Sequence, residues 1–201
     1  MIARALGLVA YEPTWRAMQA FNAARNEETP DQLWLVEHPP VFTLGLAGRP
    51  EHVLAPRGIP VVKTDRGGQV TYHGPGQAVA YALVDLRRAR LGVRQFVRQL
   101  EEAVIATLAE YGIDGRRREG MPGVYVDNAK IAAVGLRVAR GCSYHGVALN
   151  ATVDLEPFER IDPCGYAGLA STRTADLGVR DSMEMVQGRL AENLRKCLIP
   201  T

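Results

Sequence analysis

The most regular hydrophobic pattern in the chain lies between residues 93 and 108. Val93, Phe96, Val97, Leu100, Val104, Ile105 and Leu108 recur at three- and four-residue spacing, the period of one helix face. Gly112 follows as a stop. Residues 13–27 carry a second helical pattern, with Trp15, Met18 and Phe21 on one side, Arg16 and Gln19 on the other, and Pro13 suited to a first helical position. A final helix is expected over 182–197. Elsewhere the apolar residues come in short blocks. QLWLVEHPPVFTLG reads as strand, turn, strand, broken at Pro39 and Pro40. Residues 59–63 read as another strand, and QAVAYALVDL at 77–86 has the length and composition of a largely buried one. KIAAVGLRVARGCSYHGVALNATVDL predicts two strands joined by a turn near Arg140 and Gly141. With no internal repeat, low-complexity tract or Gly-, Ser- or Pro-rich linker, the pattern predicts one α/β domain over residues 1–201.

Composition narrows the class. Of 201 residues, 47% are hydrophobic and 23% charged, the balance of a globular chain that builds its core without disulfide or metal staples. The formal net charge of +2 is too small to make nucleic acid an expected partner through bulk electrostatics. No apolar run is long enough to cross a bilayer and the start lacks a small-residue cleavage pattern, so a cytoplasmic protein without membrane contact is expected. Cys142, Cys164 and Cys197 are too far apart for a CxxC metal knuckle or a dense disulfide framework. They read as free thiols in a reducing compartment, with no metal. Lysine occurs only at Lys63, Lys130 and Lys196.

Three segments hold candidate chemistry. RGGQVTYHGPGQ, residues 66–77, places Gly67, Gly68, Gly74 and Gly76 around Thr71, Tyr72 and His73. So many glycines let backbone approach a ligand, though a tight hairpin explains them equally well. No Gly-Lys-Ser/Thr follows, so the segment is not a nucleotide-phosphate loop. Lys130 opens a predicted strand, a place where lysine is usually a solvated edge charge. Cys164, between Pro163 and Gly165 in RIDPCGYAG, sits in a turn and is more accessible than the Cys142 and Cys197 thiols. A nearby ammonium favours a thiolate, so Lys130 beside Cys164 would make a nucleophile able to open a thioester or ester. Histidine is the commoner base for cysteine, and His73 and His145 both lie beside glycines at strand ends. Which group takes the proton is open at this stage.

EHPPVFTLG, RGGQVTYHGPGQ, KIAAVGLR, GCSYHGVALN and RIDPCGYAG, in this order over about residues 30–175, resemble the lipoyl(octanoyl) transferase family. The resemblance implies an acyltransferase that moves an octanoyl or lipoyl group from acyl carrier protein to the ε-amine of a lysine. The acceptors it implies are the lipoyl domains of 2-oxo acid dehydrogenase complexes and the glycine cleavage H protein. It implies a mixed, largely antiparallel sheet flanked by helices, similar to lipoate and biotin protein ligase catalytic domains, and no cofactor. Carried onto matching positions, Cys164 is the nucleophile and Lys130 lowers its pKa and relays protons. Substrate contacts fall on Arg66, Gly67, Gly68, Gln69, Val70, Thr71, Tyr72 and His73, on Ala133, Val134 and Gly135, and on Gly146, Val147 and Ala148.

Thiol-to-thiol acyl transfer is nearly balanced and transfer to an amine is downhill, so the reaction needs no ATP and the lack of a nucleotide loop is consistent with it. A covalent intermediate lets donor and acceptor visit in turn, giving ping-pong kinetics. One alternative is an ATP-dependent lipoate or biotin ligase, which needs no nucleophilic cysteine. Another is a non-catalytic module using Arg87, Arg88 and Arg90, and Arg116 to Arg118, on RNA or an acidic protein. In an acyltransferase the same arginines would form a docking face for acidic carrier and lipoyl domains.

Overall fold

Residues 77–83 are buried at every position and form the strand around which the rest assembles. The computed structural model describes residues 1–162 and 169–198. In chain order the elements are β1 (Ile2–Leu8), α1 (Tyr11–Ala24), β2 (Gln32–Glu37), β3 (Val41–Leu44), β4 (Val61–Lys63), β5 (Val70–His73), β6 (Gln77–Leu83), α2 (Val93–Ala109), β7 (Arg116–Arg118), β8 (Met121–Val126), β9 (Ala129–Ala139), β10 (Cys142–Asn150) and α3 (Met183–Leu198). Seven strands form one sheet in the order β1-β2-β6-β10-β9-β8-β7, and β4-β3-β5 form a second, smaller one. Among the described strands of the large sheet, β1 and β2 pair in parallel and the other neighbours antiparallel.

Alternation along the strands explains why their sequences are apolar throughout. Ala78, Ala80 and Ala82 of β6, with Val147 and Leu149 of β10, face a core completed by Phe96, Leu100, Val104 and Leu108 of α2 and Leu190 and Leu194 of α3. The intervening residues Val79, Tyr81 and Leu83, with Tyr144 and Ala148, face the other way toward Met18 of α1. Both sides are covered, so neither can be polar by default. The small sheet has its own apolar side, where Phe42, Leu44, Val70 and Tyr72 meet Val153 and Ile161.

Several elements differ from the sequence expectation, each for a physical reason. α1 starts at Tyr11 rather than Pro13. As the third helical residue, Pro13 still has no intrahelical acceptor to lose. The strands on either side of Pro39 and Pro40 both exist, but β2 pairs with β1 and β6 while β3 pairs with β4 and β5. The two prolines therefore carry the chain between sheets. The turn at Arg140 and Gly141 is as expected, with φ of 50° and 77°, the pair of left-handed residues that a two-residue hairpin uses. β1, β5, β7 and β8 are not among the expected strands. All seven β1 residues are exposed, so that strand carries no burial pattern to detect.

Candidate active site

The small sheet lies across the cavity-facing side of the large one, and the segment between β4 and β5 joins them. Gly67 N–H donates to the Leu136 carbonyl of β9 (2.7 Å), while Leu46 and Ala47 donate to the carbonyls of Arg66 and Gly68 (2.8 and 3.1 Å). Gly68 holds φ at 83°, a left-handed conformation that suits glycine. The Arg66 guanidinium is buried over Gly135 and donates to the Thr43 carbonyl (2.6 Å), the Thr43 hydroxyl (2.7 Å) and the Gly67 carbonyl (3.0 Å).

Between the sheets is a cavity of about 300 Å³, at the lower end of small-molecule sites. It collects nearly every position singled out in the sequence. Lys130, Arg66, Gly67, Gly68, Gln69, Val70, Thr71, His73, Ala133, Val134, Gly135, Gly146, Val147 and Ala148 all line it. Tyr72 is the exception, since its ring packs against Phe42 and Phe158 in the small-sheet core (centroids 5.5 and 5.4 Å). Cys164 lies outside the described residues. Ile161 and Leu169, which flank its segment, both line the cavity.

Sheet register gives the cavity a direction. Gly135, Gly146 and Tyr81 stand in one row across β9, β10 and β6, and Ala133, Ala148 and Val79 in the next but one. Small side chains thus form an apolar slot floor. Gly146 is obligatory there, because a Cβ would lie 2.1 Å from the Ala80 carbonyl oxygen. Lys130 and Leu136 are six residues apart on β9, about 20 Å at strand rise. Lys130 therefore marks one end of the slot, and the Arg66–Gly67 turn, held on Leu136, marks the other. At the lysine end the residue 170–172 segment pairs with the strand. Lys130 N–H donates to the Ala170 carbonyl (2.8 Å) and Thr172 N–H donates to the Lys130 carbonyl (3.0 Å). The Lys130 ammonium stands 5.4 Å from the Tyr125 ring centroid.

The polar walls are built from residues only partly foreseen. At the arginine end Asp65 accepts from Trp15 (2.8 Å), Gln19 (3.1 Å), His145 Nε2 (3.1 Å) and the Tyr144 hydroxyl. Burial raises the Asp65 pKa, but the hydrogen bonds from His145, Tyr144 and Gln19 outweigh it and hold the carboxyl well below the usual carboxylate range. His145 would point toward the α2 and α3 side in a regular strand; its φ of 61° takes the ring to Asp65 instead. Burial lowers its pKa, partly offset by Asp65. His38 is buried with Nδ1 2.6 Å from the Val9 carbonyl and Nε2 2.6 Å from the Tyr81 hydroxyl, and burial lowers it to about 4. His73 is lowered to about 3, by burial first and then by His38. The His38 and His73 rings are therefore neutral near pH 7. Gln77 and Asn150 also line the cavity. They close the motifs RGGQVTYHGPGQ and GCSYHGVALN, and their place at the ends of those motifs is the signal that could have marked them.

Of the arginine clusters, Arg87 pairs with Asp85 (3.0 Å), Arg88 with Asp31 (2.6 Å), Arg116 with Asp114 (2.6 Å) and Arg117 with Glu101 (3.2 Å). Arg118 donates to Asn128 (2.8 Å). A carboxylate offsets four of these six arginines, and Arg118 bonds only a neutral amide, so each patch keeps part of its positive charge for a docking face.

Residues 10–194 match the family described as the lipoyl protein ligase A/B catalytic domain. An octanoyltransferase of Thiobacillus denitrificans is 59% identical over 98% of this chain and 91% of its own length. One of Methylococcus capsulatus is 64% identical over 89% of this chain and 86% of its own. This chain belongs to the octanoyltransferase family. It is an acyltransferase by that membership, and its fold recurs beyond octanoyltransferases. A bipartite lipoate protein ligase of Thermoplasma acidophilum superposes with a TM-score of 0.76 at 18% identity, over 98% of this chain and 84% of that one. The expected α/β class, with a mixed and largely antiparallel sheet flanked by helices, is the one found. Among the described residues no helix is long and apolar enough to cross a membrane.

Proposed function

We propose that the chain, acting over residues 1–201 as one cytoplasmic catalytic unit, transfers an octanoyl or lipoyl group from acyl carrier protein to a lysine ε-amine. The acceptors are the lipoyl domains of 2-oxo acid dehydrogenase complexes and the glycine cleavage H protein. The observation that carries this reading is the slot lined by the separate motif segments, with a small-residue floor and Lys130 at one end. A linear acyl chain fits such a floor, and an amine or thiol arriving at the lysine end would meet its carbonyl.

In the first half-reaction the Cys164 thiolate attacks the carrier thioester. A new C–S bond forms, the old one breaks, and the carrier thiol leaves with a proton. In the second half, the lysine amine attacks the enzyme thioester. The C–N bond forms, the C–S bond breaks, and the amine proton ends on the Cys164 sulfur. Lys130 favours the thiolate and passes these protons. Backbone N–H groups at the slot would hold the oxyanion. Those of Gly67 and Gly76 are already spent, on the Leu136 carbonyl and on the Glu37 carboxylate (2.7 Å each).

Intact mass after incubation with octanoyl-loaded carrier protein tests the reading. Wild type should gain one hydroxylamine-sensitive octanoyl adduct and pass it to an apo lipoyl domain without ATP, and Cys164→Ser should gain none. Transfer that needs ATP and free octanoate would instead identify a ligase and make Cys164 structural.

A further inference from the structure

The motifs RGGQVTYHGPGQ and GCSYHGVALN end on two amides that stand opposite each other in the sheet, Gln77 on β6 and Asn150 on β10. Both are almost fully buried, with 1% and 4% exposure, and both line the cavity. Polar side chains in such a place need every hydrogen bond made, and this pair makes them in a defined order. Asn150 Nδ2 donates to the Thr172 carbonyl (3.0 Å), so its Oδ1 is the acceptor for Gln77 Nε2 (2.9 Å). Gln77 Nε2 also donates to the Tyr72 carbonyl (3.3 Å). Gln77 Oε1 is left as an acceptor, and its partner is His73 Nδ1 at 2.7 Å. Each amide orientation therefore follows from the one before it, and the series ends by placing the His73 proton on Nδ1. Nε2 carries the lone pair. It has no hydrogen-bond partner among the described residues, and the ring lines the cavity.

The other end of the series reaches the strand that carries Lys130. Thr172 N–H donates to the Lys130 carbonyl, so the carbonyl that Asn150 grips belongs to a residue hydrogen-bonded to Lys130. We propose that Gln77 and Asn150 are positioning residues for acyl transfer. Gln77 fixes His73 as the Nδ1–H tautomer, whose Nε2 accepts an N–H of the attacking lysine amine. Asn150 ties the 170–172 segment to the same scaffold. The inference rests on the transferase reading above. His73 accepts this hydrogen bond and takes no proton: as the C–N bond forms and the C–S bond breaks, Lys130 passes the amine proton to the departing sulfur. Burial, with His38, Arg66 and His145 facing the ring and Tyr11 stacked on it (5.7 Å), keeps His73 neutral throughout.

Two substitutions separate the two duties. Gln77→Leu removes the acceptor for Nδ1 but leaves Thr172 held, so discharge of the octanoyl-enzyme to a lipoyl domain should slow by about tenfold or more, with acylation by the carrier little changed. Asn150→Asp keeps an acceptor for Gln77 and loses the donor to Thr172, so acylation should slow while the His73 tautomer persists. Nitrogen-15 NMR of labelled histidine reads the tautomer without any turnover. Wild type and Asn150→Asp should show Nδ1–H for His73, and Gln77→Leu a mixture. Gln77→Glu, close to isosteric, retains the acceptor and should restore the Nδ1–H form while raising the His73 pKa. An Nε2–H tautomer in wild type, or equal slowing of both half-reactions in Gln77→Leu with the tautomer unchanged, would overturn the inference. Loss of all acyl-enzyme in wild type would instead overturn the transferase reading and leave the tautomer result standing.

Discussion

The two faces of the seven-stranded sheet bury side chains by different rules. Toward α2 and α3 the interior is hydrocarbon, with Phe96, Leu100, Val104 and Leu108 meeting Leu190 and Leu194 over the alanines of β6. Toward the small sheet the interior holds Arg66, His38, His73, Gln77, His145 and Asn150, all buried. Apolar packing is non-directional and stabilises in proportion to area, so the helix side tolerates change of shape more readily than change of polarity. A buried polar group is stable only with its partners in place, so the cavity side is ordered by hydrogen bonds and its residues have fixed tautomers and orientations. Stability is concentrated on the first face, chemistry on the second.

The sharpest break in that division would come from Leu100→Ala, at a fully buried position on α2. It should destabilise the fold by about 2–5 kcal/mol in chemical denaturation and leave turnover per folded molecule unchanged below its melting range. A loss of activity in the folded fraction would show that packing at Leu100 reaches the slot, which α2 itself touches through Val93 and Val97. Lys130→Ala should do the reverse. We expect acyl-enzyme formation to slow by about 10² or more and the thiol alkylation profile of Cys164 to move to higher pH, with the unfolding midpoint nearly unmoved. An unchanged alkylation profile would remove Lys130 from thiolate activation.

Acid should find the cavity face first. His38 and His73 are held at about 4 and about 3, below the unfolded histidine value of about 6.5. The unfolded chain then binds more protons than the folded one below about pH 6.5, and stability is full above that pH and falls as pH drops toward the folded values. At pH 5 each ring should cost up to about 2 kcal/mol relative to pH 7. His38→Gln, whatever it does to stability at pH 7, should flatten that slope, and an equal slope in both proteins would mean that His38 is charged when folded. Asp65 acts in a lower window. Its folded pKa is depressed, so its contribution is present above the ordinary carboxylate range and lost as pH falls through it. The smallest expected effect is on the exposed rim, where Arg116→Ala removes an open pair with Asp114 and should leave both stability and transfer rate unchanged.

Much of the fold and of the site is legible in the sequence alone. The α2 period, the Arg140–Gly141 turn and the motif segments are properties of neighbouring residues, and local spacing together with backbone preference is enough to reveal them. The candidate binding positions come from the same short motifs, and all but Tyr72 line one cavity. The Tyr72 ring packs on Phe42 and Phe158 instead. β1 is invisible because an exposed edge strand has no burial pattern, and the break at Pro39 and Pro40 does not reveal that its two strands join different sheets. Asp65, Gln77 and Asn150 do not stand out because a lone polar residue at a strand end is ordinary until its partner is known.

By itself, then, the sequence determined the helices, the apolar strands and the family whose chemistry the chain shares, since periodicity and motif spacing act over a few residues. Only the tertiary structure decided which strands became neighbours, and so which buried polar groups met. Gln77 and Asn150 are 73 residues apart, and no local preference specifies such a pairing. The register of β6 against β10 does, because sliding either strand by one residue would turn these amides to the hydrocarbon side, where neither could find a partner.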